Sequence, residues 1–340
     1  MGPGHTMGRM RYYCGHFESF YFAYRYGAAP FVGLEANDVG NLSDAVTRLT
    51  DFEAKDLIVA GLLTPKPHRP GCLLNEGPQT AKHHILVPDT MSRAANERVV
   101  RHRWNGPVPK GAFWRLSDKV YVSTPEFTYL QLAGVLSHVQ LALVGCAMVS
   151  PYHLDNDIAL QRREPMTTID RLREFLDTCS DAYGAKKARQ ALAYLNETLT
   201  STLDLHLWAR FCFPTCYGGM GLPRAQVNTL VAPYTSKKNV KSNPEPFVAN
   251  LYWRRQHAAI KVIEELSGPA GINRLLDLRS QGLNIVSISH KYLTGKEEYV
   301  DVTPGFFEGF RCLRRRRPKN YAAAHDHLID TLIGPNRLVL

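Results

Sequence analysis

No apolar run in this 340-residue chain reaches the ~20 residues that a membrane-crossing helix needs. The longest candidate, Val135 to Val149, contains His138 and Gln140, so a buried helix is expected there. The N-terminus has Arg9 and Arg11 but no apolar core behind them, so no secretion signal is expected. The seven cysteines are odd in number and scattered, which argues against a disulfide framework and for reduced thiols in a cytoplasmic setting. Cys212 and Cys216 lack a second ligand pair nearby, which argues against zinc. There is no internal repeat, no glycine-rich phosphate loop of recognised spacing and no G-x-S-x-G nucleophile segment. Acid is the scarcer charge: 31 Asp and Glu stand against 41 Lys and Arg, for a net charge of +10. That balance favours a polyanionic partner, nucleic acid first, with a merely soluble basic surface as the alternative. The length suggests two or three domains, and 44% hydrophobic with 21% charged residues is ordinary for a globular chain.

Residues 1–80 are the least legible. Tyr12, Tyr13, Phe17, Phe20, Tyr21, Phe22, Tyr24 and Tyr26 form an aromatic cluster with few charges between them, expected to pack in a core rather than stack on bases. Leu42-Ser-Asp opens a helix expected to reach Leu62. Lys82 to Val87 reads as a strand, in which His83 and His84 point to opposite faces and make a poor metal pair. Arg93, Arg98, Arg101, His102 and Arg103 form either a phosphate-contacting patch or a solvated surface. Phe113 to Leu116 and Val120 to Ser123 read as a hairpin, and Pro125 opens a helix at its favoured first position. Two further helices, capped at Thr167-Thr and running from Ala185 to Leu195, are expected as a connector.

From Thr200 to Lys291 the order reads helix, strand, strand, strand, helix, strand. Ser201 or Thr202 caps the helix, with Asp204 in its first turn and Leu203, Leu207 and Phe211 at helical spacing. Gln226–Leu230, Phe247–Trp253, Ala258–Glu264 and Leu283–Ser289 read as strands. Ser236 to Pro246, with three lysines and two prolines, reads as an exposed loop. Ile272 to Arg279 reads as a helix stopped by Gly282.

Four segments in this order resemble a known family. They are Val122-Ser-Thr-Pro-Glu-Phe-Thr-Tyr-Leu-Gln-Leu-Ala, Glu164-Pro-Met-Thr-Thr, Gly184-Ala-Lys-Lys-Ala-Arg-Gln-Ala-Leu and Gly218-Gly-Met-Gly-Leu-Pro-Arg-Ala-Gln-Val-Asn. The family comprises actinobacterial proteins, mostly from Coriobacteriia, with a C-terminal restriction-endonuclease-like (Vsr-like, PD-(D/E)xK) domain. The first segment also resembles AbiEi-like antitoxins. The likeness runs from about His84 to Leu293 and rests on the order of the segments. It implies an α/β chain: a mixed α+β N-terminal region, then a restriction-endonuclease-like core of order αβββαβ. The expected divisions are 1–80, a small α+β domain at 81–150, a helical connector at 151–199, the nuclease-like domain at 200–295 and a basic tail at 296–340.

Intact members carry a helix Glu, a strand Asp and an Asp/Glu-x-Asp/Lys pair on the next strand, and the carboxylates hold Mg²⁺. Carboxylates converging on the ion let it activate water and stabilise charge on the phosphate. Carried onto this chain, the helix position is Asp204 and the strand Asp falls on neutral Asn250. The pair falls on Lys261 and Ile263, or on Glu264 and Leu266 if the intervening turn is three residues longer. Either register loses at least two acids, so the resemblance implies a degenerate site with no cofactor. Mg²⁺ enters only if Asp204 and Glu264 still work together. The basic run Arg311, Arg314, Arg315, Arg316, Arg317 and Lys319 is expected to contact phosphates, with a solvated flexible segment as the alternative. The expected function is DNA binding without robust cleavage, as a regulatory or antitoxin-like part of a defence system. The alternatives are a working Mg²⁺-dependent DNA endonuclease and a protein-interaction module that never meets DNA.

Overall fold

The computed structural model of the chain describes residues 11–16, 19, 20, 23, 36, 37, 39, 42, 45, 83–88, 99–117, 119–152, 162–232, 246–263, 278–280, 282–289 and 318–333. The chain is mixed α/β, and its contacts divide it into two compact units. Unit 1 spans 1–153, 157–197 and 338–340, and unit 2 spans 154–156 and 198–337.

Unit 1 is built on a six-stranded mixed sheet. Its strands are β1 (Tyr12–Cys14), β2 (Ala36–Asn37), β3 (His83–Pro88), β4 (Val99–Trp104), β5 (Phe113–Arg115) and β6 (Val120–Ser123), in the order β2-β5-β6-β1-β3-β4. The expected hairpin forms: Phe113 pairs with Ser123 and Arg115 with Tyr121. β1 comes from the least legible stretch of the sequence. It lies parallel to β6, with Tyr12 paired to Val120, and antiparallel to β3, with Cys14 paired to Ile85. Tyr12, Tyr13 and Phe20 are buried, as core packing of the aromatics requires. The other aromatics of that cluster lie outside the described residues, as does the expected Leu42–Leu62 helix apart from Leu42, which is not helical, and Ala45, which bridges Arg11 as an isolated β pair.

Among the described residues, four helices accompany this sheet: α1 (Pro125–Ala133), α2 (His138–Val149), α3 (Ile169–Thr178) and α4 (Ala185–Leu192). Thr124 accepts from the Phe127 N–H and sets Pro125 at the first helical position. Ser137 and Gln140 form a reciprocal capping box at α2, which is buried along almost its whole length. Phe127 joins sheet and helices, with Trp104 edge-on at 4.7 Å, Phe113 at 5.4 Å and Phe175 of α3 at 6.2 Å. The two helices expected as a connector thus pack inside unit 1.

Unit 2 opens with α5 (Thr202–Cys212), capped by Ser201 through the Asp204 N–H. A short turn over Thr215–Tyr217 follows. The strands are β7 (Gln226–Val231), β8 (Phe247–Trp253), β9 (Ala258–Ile263) and β10 (Asn284–Ser289), in sheet order β10-β9-β8-β7. β8 is antiparallel to both neighbours, and β10 runs parallel to β9 over six pairs. Residues 278–280 are helical and end at Gly282, whose φ of +85° suits the left-handed close. Along β8, Phe247, Ala249, Leu251 and Trp253 are buried, and Val248 is exposed. Trp208 and Phe211 of α5 are buried, and Phe211 meets Trp253 edge-on, so α5 packs at the Trp253 end of β8, while Phe247 and Ala249 cluster with Leu278, Leu283 and Ile285. Burying each such aromatic contributes about 2–3 kcal/mol.

The C-terminal stretch, expected as a basic tail, holds a further helix, α6 (Tyr321–Ile333). Its Leu328, Ile329 and Leu332 are buried, and His325 Nδ1 lies 2.8 Å from the Gly218 carbonyl. No described helix is long and apolar enough to cross a membrane.

Candidate functional site

Asp204 is 1% exposed. Its Oδ2 accepts from the Thr200 N–H at 3.0 Å, the Thr200 hydroxyl at 2.7 Å and Asn228 Nδ2 at 2.7 Å. Asn228 Nδ2 also lies 2.9 Å from Thr200 Oγ1, which closes the group. Asn228 sits inside β7 with φ +48°. Strict alternation would turn its side chain away from α5; the left-handed backbone lets it reach Asp204 instead, and Asn tolerates that conformation better than most residues.

Asn250 and Lys261 are both half-buried. The last pair of the β8–β9 ladder at this end is Leu251 with Ile260. Beyond it, Asn250 Oδ1 accepts the Val262 N–H at 2.9 Å, so the side chain takes over where the backbone ladder stops. By register Asn228 stands opposite Asn250, one strand spacing away. By register Asn250 and Lys261 stand opposite each other on adjacent strands, and Asp204 is held by Asn228 of the strand on the other flank of β8. Glu264, Arg311, Arg314, Arg315, Arg316 and Arg317 lie outside the described residues, and Lys319 is exposed ahead of α6.

The described candidates, Asp204, Asn250 and Lys261, do not by themselves fit a Mg²⁺ ion. The ion takes near-octahedral oxygen ligands with one or two carboxylates. Here the one described acid carries three internal donors on one oxygen, the amide oxygen of Asn250 is taken, and Lys261 brings positive charge. Among the described residues, no group of three or more His, Cys, Asp or Glu is arranged to hold a metal.

Comparison with protein-family models, curated proteins and solved structures gives no match.

The structure also assembles groups that sequence reasoning missed. His84 partners His102 rather than His83: its Nδ1 lies 2.7 Å from His102 Nε2. His16 stacks on His102 with ring centroids 3.5 Å apart. Burial, then the neighbouring His84, pushes His102 down to about 3. Burial, then His102 and His84, holds His16 well below the usual imidazole range. Of the expected basic patch, Arg103 is exposed and Arg101 half-buried on the face of β4 opposite His102, while Arg93 and Arg98 lie outside the described residues. Burial pushes the Cys212 thiol up to about 12, and its Sγ lies 3.6 Å from the Pro223 carbonyl, whereas Cys216 is exposed.

Proposed function

We propose that the chain binds duplex DNA through a restriction-endonuclease-like unit that no longer cuts, as the regulatory or antitoxin-like member of a defence system. The observation that carries this reading is the employment of Asp204: the single acid retained at the helix position is spent on Thr200 and Asn228. The order α5-β7-β8-β9-β10, with a helical turn before β10 and β8 antiparallel to its neighbours, is compatible with an αβββαβ core. Lys261, standing where the family keeps an acid, opposes a cation and suits a phosphate. The net charge of +10 supplies the long-range attraction.

The test is binding of a fluorescent duplex at low and at near-physiological salt, run beside plasmid nicking in Mg²⁺ and Mn²⁺. The reading expects an affinity that falls steeply with salt, through counterion release, and no nicking above background. Nicking that disappears in both Asp204→Ala and Glu264→Ala would install the working endonuclease. The absence of any salt-dependent binding would favour the protein-interaction module.

A further inference from the structure

Three histidines far apart in the chain meet at one side of the unit 1 sheet. His16 follows β1, His84 lies on β3 and His102 on β4, and these are adjacent strands. The rings form a column: His16 stacks on His102 at 3.5 Å and 20°, and His84 lies 4.9 Å from His102 at 16° with a shared hydrogen bond. Near-parallel rings do not aim their lone pairs at one point, so the column is no ligand set for a metal.

The protein builds His16 into this place. Its φ is +53°, a strained value for a non-glycine residue. Its N–H donates to Gln131 Oε1 at 2.7 Å, Gln131 Nε2 donates to Ser123 Oγ at 2.9 Å, and the Ser123 hydroxyl donates to the Cys14 carbonyl at 3.0 Å. A side chain at Gly15 would press on Leu86 and Gln131, so the approach to His16 is tight. Within this cradle His16 Nδ1 is buried without a hydrogen-bond partner. A buried imidazole held this way has no acceptor to stabilise it once it takes a second proton.

We propose that the column is an acid-released latch on β4: protons taken up by His102 and His16 part β4 from β3 while the rest of the sheet stays paired. Among the described strands β4 lies at the sheet edge, so its release breaks one described ladder, and edge elements open at lower cost than central ones. Release would bare the pairing edge of β3. Among the described residues of the surrounding elements, the other titratable and charged groups are few. Cys14 of β1 precedes the Gly15–His16 turn, Arg101 and Arg103 lie on the opposite face of β4, and Glu126 of α1 is engaged by the Thr167 hydroxyl at 2.5 Å. Both rings are neutral when the latch is closed, because burial depresses proton binding first, helped by repulsion from His84 at His102 and from His102 and His84 at His16. An opened strand returns them to an ordinary imidazole near 6.5, so each favours opening about tenfold for every pH unit below that value.

The experiment is hydrogen exchange on the full chain at about pH 7.5 and about pH 5.5, either side of the ordinary imidazole value. Rates are corrected for the intrinsic pH dependence and read on peptides covering β4, with β10 as reference. The latch predicts that β4 opening rises ~100-fold relative to β10, about tenfold from each histidine. His102→Phe keeps a stacked ring that does not titrate. His16→Asn keeps a residue tolerant of the left-handed backbone. Each should cut the rise to about tenfold or less, and the second serves if the first misfolds. A β4 rise no greater than that of β10, or the full rise persisting in both variants, would overturn the proposal.

Discussion

Replacing Asp204 by Ala tests whether its carboxylate is structural. The change removes the acceptor for three donors: the Thr200 N–H, the Thr200 hydroxyl and the Asn228 amide. Hydrogen bonds to a charged group contribute about 1.5–3 kcal/mol each, and stranded buried donors cost about 1–3 kcal/mol each. Thr200 and Asn228 are half-buried, so water recovers part of this, and Asn228 keeps its hydrogen bond with Thr200 Oγ1. The expected loss is about 3 kcal/mol. With a urea slope of about 2 kcal/mol/M, the unfolding midpoint of unit 2 should fall by about 1.5 M. Asp204→Asn keeps an oxygen acceptor without the charge and should cost about half as much. Trp208 and Trp253, buried in the same unit, provide a fluorescence signal, with the emission shift on unfolding as readout. Added Mg²⁺ should leave the wild-type midpoint unchanged, because a ligand stabilises only the state that binds it. A loss below about 1 kcal/mol, small beside the bonds removed, would refute the structural role. So would a Mg²⁺-dependent rise in the wild type that Asp204→Ala abolishes.

Other outcomes follow from the same geometry. Deleting Arg311 to Lys319 should weaken duplex binding and flatten its log–log salt slope by about 0.9 for each phosphate that the segment neutralises, and an unchanged slope would make the segment a bystander. Gly218→Ala should detach α6: the residue has φ +85°, and its Cβ would overlap the Ala324 backbone, so amide exchange across Tyr321–Ile333 should accelerate. In the native protein under mildly alkaline conditions, iodoacetamide should label Cys216 well before Cys212, as peptide mapping by mass spectrometry would read; burial keeps the Cys212 thiol protonated.

Local rules made much of the secondary structure legible. Thr124 with Pro125, Ser137 with Gln140, and Ser201 with Asp204 are capping patterns that depend on neighbours within a few residues, and each opens its helix as such patterns require. The strands Phe247–Trp253 and Asn284–Ser289 were legible from β-branched and alternating residues. α6 was not, because its apolar face is short and its packing partner, the Gly218 turn, lies far away in the chain.

Composition and short spacing were enough to establish the basic charge, the lack of long apolar runs, the helix starts, the hairpin and the helix–strand order of unit 2. Which distant residues meet emerged with the folded chain alone. Tyr12–Cys14 has three residues and no pattern to identify it as a strand, yet it lies within the unit 1 sheet because β6 and β3 supply its hydrogen bonds. His16, His84 and His102 become one column only through the β1-β3-β4 adjacency. Asn228 reaches Asp204 through a left-handed backbone that no alternation rule foresees. Pairing between strands is set by non-local hydrogen bonding and burial, so a side chain's chemical partner across a sheet is invisible until the register is known.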